Sequence, residues 1–305
     1  MKQIKVALIG SGKTMEEYIK VLRSFKKSFV NIVGIYSRNY KNSYKTKIKF
    51  KIKKNFQSIQ DMYNYSGADV VIIVVSAENL IKVIKEASKY DWKIFTEKPL
   101  GINFRQTNEI KTFLDKKIND VYIALNRQYF GSTIQLLDFL KKDKSKRVIN
   151  IFDQQQHYSN KLLSKNLMYT NSVHLFTYCP LLARGKLNKI IEIINEEKHI
   201  VKKLIYSSGD IIIFHSLWNK PGPWKIEIST INNYYMLNPL EKLFIRGKKT
   251  GTLRVSKLSN YDKNFKTGFK IQLIEFFKLI KSNSKKFNFE FYYSIIKIIK
   301  SYYKH

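Results

Sequence analysis

Ile4-Lys-Val-Ala-Leu-Ile-Gly-Ser-Gly-Lys-Thr-Met15 decides how this chain folds. A short apolar strand, Ile4–Ile9, runs into Gly10-Ser-Gly12, and a helical spacing takes over beyond it. Met15, Ile19 and Leu22 recur on one face of a helix expected from about Thr14 to Phe25. Glycines at such a turn let the backbone bend sharply and approach a pyrophosphate, which the helix N-terminus then stabilises. Gly10, Ser11, Gly12, Lys13 and Thr14 are therefore candidate phosphate contacts. Met15 replaces the third glycine of the pattern, the one that permits close helix–strand contact, so the helix is expected to sit farther out.

A second strand follows at Val30–Tyr36, and Asp69-Val-Val-Ile-Ile-Val-Val75 is a continuous apolar run. Such runs are typical of parallel strands buried on both faces. Leu80–Tyr90 reads as a helix, Trp92–Thr96 as a strand, Asn108–Leu114 as a helix and Val121–Leu125 as a further strand. Strands alternating with helices predict a doubly wound parallel sheet.

The pattern then changes. Gly131–Lys142 reads as a linking helix, followed by polar-alternating strands at Val148–Tyr158, Ile190–Glu196, Asp210–Leu217, Trp224–Thr230 and Tyr234–Leu237. Short turns between several of them predict antiparallel pairing. A helix near Asn171–Leu182 interrupts the strands, and helices at about Gly268–Lys281 and Phe289–Tyr302 close the chain. The expected division is 1–122 for the nucleotide-binding domain and 123–305 for an α+β domain with a large, open, mainly antiparallel sheet.

The 305 residues are enough for two domains, and 44% hydrophobic content argues against disorder. Cys179 alone excludes an intramolecular disulfide framework and suits a reducing compartment. With no signal-peptide layout and no apolar run of membrane-spanning length, the cytoplasm is the expected location. The formal net charge of +33 invites a nucleic-acid reading. Only eight of the 56 basic residues are arginine, however, and no recognition motif accompanies the lysines. The densest run, Lys45–Lys54, alternates with period two and is expected to be a solvated edge strand or loop. A specific nucleic-acid partner is not expected.

Two strand ends carry the candidate chemistry. At the end of the second strand an acidic residue would bind the ribose hydroxyls of NAD. This chain has Ser37-Arg38 there, and a guanidinium beside a hydroxyl suits a ribose 2′-phosphate. NADP is favoured, with NAD as the alternative. The second strand end is Lys93-Ile-Phe-Thr-Glu-Lys-Pro99, which places Glu97 and Lys98 beyond the carboxyl end of a parallel strand, where such sheets hold ligands. A half-desolvated lysine there suits redox chemistry on an alcohol. His157, His199 and His215 show no ligand spacing with carboxylates or Cys179, so no metal site is expected.

Gly10-x-Gly12, Ser37-Arg38, Asp69-Val-Val-Ile-Ile73, Glu97-Lys98-Pro99 and Asn126-Arg127 occur in the order that resembles the glucose–fructose oxidoreductase / inositol dehydrogenase / MocA (Gfo/Idh/MocA) family. Asn171-Ser-Val-His174, Leu181-Leu-Ala-Arg-Gly185, Pro239-Leu-Glu241 and Gly268–Phe276 resemble its later landmarks. The resemblance implies a Rossmann domain followed by a substrate-binding and oligomerisation domain. It implies hydride transfer between a nicotinamide and a hydroxyl-bearing carbon of a sugar, sugar nucleotide or polyol, in surface polysaccharide biosynthesis among other settings. Lys98 would polarise the reacting oxygen, Glu97 would orient Lys98 or touch the cofactor, and His174 would exchange the hydroxyl proton. Asn126 is implied at the cofactor, Arg127 and Asn171 at the substrate. Tyr169 and the Gln154–His157 stretch are further candidates for sugar contact. A homodimer or homotetramer is expected.

Two departures stand out. Many members carry Asp four residues before the histidine, and this chain has Thr170 there, which cannot act as a carboxylate base. Ser76 stands in the region where the family's histidine follows the third strand, so cofactor contacts there would be mostly backbone. Met15 and Thr170 motivate the alternative of a non-catalytic nicotinamide-binding regulatory or assembly protein.

Overall fold

Val6–Ile9 and Val70–Ile73 are fully screened from solvent and lie side by side as central strands of a parallel sheet. This is the arrangement that continuous apolar runs require. The computed structural model describes residues 3–156, 165–196, 198–219, 222–247, 253–255, 259–284 and 286–303. The chain divides into two compact units, 1–125 with 269–293 and 126–268 with 294–305.

In the first unit β1 (Ile4–Ile9), α1 (Lys13–Arg23), β2 (Val30–Tyr36), α2 (Tyr40–Lys49), β3 (Asn55–Phe56), α3 (Ile59–Ser66), β4 (Val70–Ile73), α4 (Ala77–Ala87), β5 (Lys93–Glu97), α5 (Phe104–Leu114) and β6 (Val121–Ala124) follow in order. The six strands pair in parallel in the order β3-β2-β1-β4-β5-β6. The order reverses between β1 and β4, which opens a crevice at the carboxyl ends of those strands. The helix Phe269–Lys281 adds Phe269 and Phe276 to this core. Tyr18 stacks on Phe269 at 4.3 Å and meets the edge of Phe95 at 5.4 Å.

Lys45–Lys54 corrects the expectation of an edge strand or loop: its first half is the end of α2. Asn39 caps that helix by accepting a hydrogen bond from the Asn42 N–H, and Ser43, Thr46 and Phe50 turn inward at helical spacing. Capping and the 3.6-residue period outweigh an alternation written mostly in lysine.

In the second unit α6 (Gly131–Lys142) precedes β7 (Val148–Gln155), and a π-helical turn at Met168–Ser172 leads into helices Val173–Phe176 and Tyr178–Leu182. There follow β8 (Leu187–Glu196), β9 (His199–Tyr206), β10 (Ile211–Trp218), β11 (Trp224–Ser229), β12 (Asn233–Leu237), β13 (Leu243–Gly247) and β14 (Leu253–Val255). They form one eight-stranded sheet in the order β14-β13-β12-β11-β7-β10-β9-β8, antiparallel except between β7 and β10. The strand β9 hides in the sequence because Lys202 occupies an inward position between Ile200 and Leu204. Its ammonium reaches the Ser301 carbonyl at 2.6 Å and lies over the Tyr302 ring.

Candidate functional site

The crevice of the first unit is a cavity of about 680 Å³ lined by Gly10–Thr14, Tyr36–Asn39, Val74–Ser76 and one face of α4. Gly10 adopts φ +118°, and a Cβ there would lie 2.0 Å from the Val74 carbonyl oxygen, so no other residue fits this turn. Gly12 has nothing within 4 Å of the Cβ it lacks, so the backbone is bare where it meets the cavity. That combination fits a group whose phosphates must approach the main chain at the start of α1.

Side chains complete the cradle. Ser11 and Ser37 hydroxyls meet at 3.1 Å across the strand ends. The Arg38 guanidinium donates to Asn79 Oδ1 at 3.1 Å, and Asn79 Nδ2 donates to Ser76 Oγ at 2.7 Å. Asn79 thus ties the end of β2 to the start of α4. Lys13, Arg38 and Lys82 line the cavity against a single acid, Glu86. The lining charge is net positive, as a phosphorylated ligand requires.

Beyond β5, Glu97 is half-buried and held on both oxygens. The Tyr18 hydroxyl donates to Oε1 at 2.7 Å, and the Lys98 N–H reaches Oε2 at 3.3 Å. Burial and the facing carboxylate push the Tyr18 hydroxyl pKa well up, so it remains a donor. The next turn is pinned where the Leu100 N–H donates to the buried Tyr292 hydroxyl at 2.9 Å. Lys98 is half-buried between these anchors.

The second unit holds the remaining candidates. Asn126 Nδ2 donates to the Thr267 carbonyl at 3.1 Å, and Arg127 is buried with its guanidinium 4.0 Å from the centre of the Trp224 ring. Asn171 and His174 are half-exposed, whereas Ser172, Val173 and Leu175 between and beside them are buried. Asn171 Nδ2 donates to Gln155 Oε1, and Gln155 Nε2 donates to Asp153 Oδ1. Asp153 is fully screened from solvent. Burial pushes its carboxyl pKa up to about 6, against the restraint of Ser172, Gln155 and the Arg127 charge. Thr170 is buried, and its hydroxyl donates to the Asn166 carbonyl at 3.2 Å, one turn back.

Residues 4–125 match the model described as "Oxidoreductase family, NAD-binding Rossmann fold", named GFO_IDH_MocA. The match covers the parallel-sheet part of the first unit. No curated protein matches the sequence. Among solved structures, a dehydrogenase from Chromobacterium violaceum superposes with a TM-score of 0.83 at 14% identity, covering 99% of this chain and 94% of that one. A UDP-N-acetylglucosamine 3-dehydrogenase from Acidithiobacillus ferrooxidans gives 0.75 at 12% identity, with 98% and 97% covered. A 3-ketoreductase from Actinomadura kijaniata, solved with TDP-benzene and NADP, gives 0.75 at 10% identity, with 98% and 96% covered. At these identities the likeness is one of fold.

The sequence-predicted residues fall into three groups. Gly10, Ser11, Gly12, Lys13, Thr14, Ser37, Arg38 and Ser76 come together around one cavity. Glu97 and Lys98 lie at the end of β5 and are not among its lining residues. Asn126, Arg127, Asn171 and His174 belong to the second unit, and His157 lies outside the described residues. Sequence reading missed Asn79, Lys82 and Glu86, which the β1–β4 pairing brings to the cavity, and Asp153 and Trp224, whereas Gln155 lies in the Gln154–His157 stretch it singled out. A polar signal for Asp153 was present: Ile149, Ile151, Asp153 and Gln155 share the buried phase of β7. Acids there are rare unless something pairs with them. No cluster of three or more metal-ligating side chains occurs among the described residues.

Proposed function

We propose that the protein transfers hydride between a nicotinamide dinucleotide, NADP in preference to NAD, and a hydroxyl-bearing carbon of a sugar nucleotide. The observation that carries this is the cavity in which Arg38, Lys13 and Lys82 surround a bare Gly-rich backbone. A bound nicotinamide supplies or accepts the hydride. Gly10–Thr14 hold the pyrophosphate, and Ser37 with Arg38 hold the 2′-phosphate, for which Arg38 exchanges its bond to Asn79.

Lys98, steadied by Glu97 and the Tyr18 hydroxyl, holds the reacting oxygen. His174 exchanges its proton, because imidazole titrates near neutrality. Asn126 contacts the cofactor, whereas Arg127 and Asn171 contact the substrate. The sugar-nucleotide class is favoured by the fold neighbours that act on, or were solved with, nucleotide-linked ligands. No helix of the described residues is long and apolar enough to cross a membrane. We assign the protein to the cytoplasm as a dimer or tetramer assembled through the second unit's sheet.

The test is an absorbance assay of reduced nicotinamide with the purified protein, NADP⁺ or NAD⁺, and UDP-N-acetylglucosamine, followed by a panel of other UDP- and TDP-hexoses. Turnover of any of them with NADP⁺ is expected. A second reading has its own support, because the Thr170 hydroxyl is bonded back to its helix and supplies no acid or base. On that reading the chain binds a nicotinamide and acts as a regulator, and saturable NADPH binding without turnover across the panel would favour it.

A further inference from the structure

The buried carboxylate of Asp153 has a chemical consequence that reaches the surface of the second unit. An ionised carboxylate only accepts hydrogen bonds, so Gln155 must turn its NH₂ toward Asp153 Oδ1. Its carbonyl oxygen then faces away and can only accept. Asn171 answers with its own NH₂, donated to Gln155 Oε1. The Asn171 oxygen is thereby left as the outward group, and among the described residues no hydrogen bond engages it. Asn171 is half-exposed, three residues before the half-exposed His174. The direction of two amides follows from one negative charge.

The surroundings of Asp153 favour this role over a structural one. Its second oxygen, Oδ2, and the Ser172 and Ser216 hydroxyls are buried without a well-formed hydrogen bond among the described residues, although Ser172 lies close enough to draw the carboxyl pKa down. Ser216 stands opposite Asp153 in β10, and Trp224 stands opposite in β11. Among the described residues, the charged or titratable groups that face it are Arg127, from the 3₁₀ turn Asn126–Tyr129, and the buried Tyr302 hydroxyl. A carboxylate kept in so poorly satisfied a place costs stability when ionised. The chain keeps it beside the turn that presents Asn171.

We propose that Asp153 is a positioning residue whose carboxylate sets the polarity of the Gln155 and Asn171 amides, so that Asn171 offers an acceptor oxygen to a hydroxyl donor of the ligand. The hydroxyl-bearing ligand class rests on the function proposed above; the amide relay does not. When Asp153 takes up a proton it becomes able to donate, Gln155 can reverse, and Asn171 presents NH₂ instead. The preference for a hydroxyl donor is then lost.

The experiment is side-chain carboxamide NMR of the ¹⁵N-labelled full chain from pH 8 to pH 5, without ligand or cofactor. The Gln155 and Asn171 signals are assigned by their loss in Gln155→Met and Asn171→Leu. Both NH₂ groups are expected to shift with one common midpoint near pH 6, and the shift is expected to vanish in Asp153→Asn. Different midpoints, no titration, or the same titration in Asp153→Asn would overturn the relay. Should Asp153→Asn not fold, the wild-type midpoints decide alone. In a second arm, UDP-N-acetylglucosamine is expected to bind at least about tenfold more tightly at pH 8 than at pH 5, roughly one hydrogen bond's worth, with the difference abolished in Asp153→Asn. Binding that is independent of pH in wild type would overturn the acceptor assignment. No binding at either pH would count against the sugar-nucleotide reading and leave the relay to the NMR result.

Discussion

The two units handle polar chemistry in opposite ways. The first exposes backbone to an open cavity and rings it with side chains that partner one another across the strand ends. The second buries its polar side chains beneath helices and links them to one another. Two carboxylates of the second unit sharpen the contrast. Asp210, fully screened, accepts from the Arg184 guanidinium and from the Arg184 and Arg147 N–H groups. Burial alone would raise its pKa, but these bonds prevail and hold it down to about 2. Asp153, equally screened, has the Gln155 amide, the nearby Ser172 hydroxyl and the Arg127 charge, and burial prevails. A carboxylate that only supports the fold is fully satisfied, whereas one left short of partners and linked through Gln155 to Asn171 points to use.

If the cavity at Gly10–Thr14 and Ser37-Arg38 binds the dinucleotide while Lys98 and the second unit act on the substrate, variants should separate the two properties. The largest effect is expected from Lys98→Ala. Turnover of UDP-N-acetylglucosamine should fall by about 10³-fold, as when a positioned proton-transfer or polarising group is lost, with NADPH affinity changed less than about threefold. A parallel loss of both would show that Lys98 supports the first unit's fold rather than the chemistry.

Next come the two glycines. Gly10→Ala meets the Val74 carbonyl at a left-handed φ, so thermal unfolding should show a loss of about 3 kcal/mol together with lost NADPH binding. Gly12→Ala meets nothing in the protein, so its melting temperature should be unchanged while NADPH binds roughly tenfold more weakly, the methyl group standing where phosphate approaches. Equal melting losses would mean that the bare backbone at Gly12 serves packing.

A smaller effect, on the scale of one or two charge-assisted hydrogen bonds, is expected from Arg38→Ala. NADPH affinity should drop about 10- to 100-fold and NADH affinity less than about threefold.

The smallest effects belong to the two carboxylates and run in opposite directions with pH. The folded pKa of Asp210 is lowered, so its contribution is present above about pH 4, its unfolded value, and is lost as pH falls toward 2. Urea unfolding of Asp210→Asn should therefore show a loss of about 1–3 kcal/mol at pH 7 that shrinks at pH 3. Asp153 has a raised folded pKa, so stability is lost as pH rises from about 4 through 6. Asp153→Asn should be no less stable than wild type at pH 8. A clear loss there would make Asp153 an ordinary structural acid.

What could be read from the sequence follows the range of the physics involved. Gly10-Ser-Gly12 and Ser37-Arg38 were legible because strand, turn and helix start are local, and their chemistry is set by backbone freedom and a guanidinium. Asn79, Lys82 and Glu86 were not, because they reach the cavity only once β4 pairs with β1. The Lys45–Lys54 alternation misled because lysine tolerates any exposed backbone, while Thr46 and Phe50 pack at helical spacing. Asp153 stood in plain view on the inward phase of β7. The sign of its role needed Gln155 and Asn171 to be placed against it.

On the proposed function, the cavity at Gly10–Thr14 and Ser37-Arg38 holds a 2′-phosphorylated nicotinamide dinucleotide. Fluorescence titration of the purified chain with NADPH and NADH, in wild type and Arg38→Ala, tests it most directly. Saturable binding that favours NADPH is expected in wild type, with that preference removed by the substitution. Tighter binding of NADH, or an NADPH preference that survives Arg38→Ala, would contradict the assignment of Arg38; no binding of either would contradict the oxidoreductase reading itself.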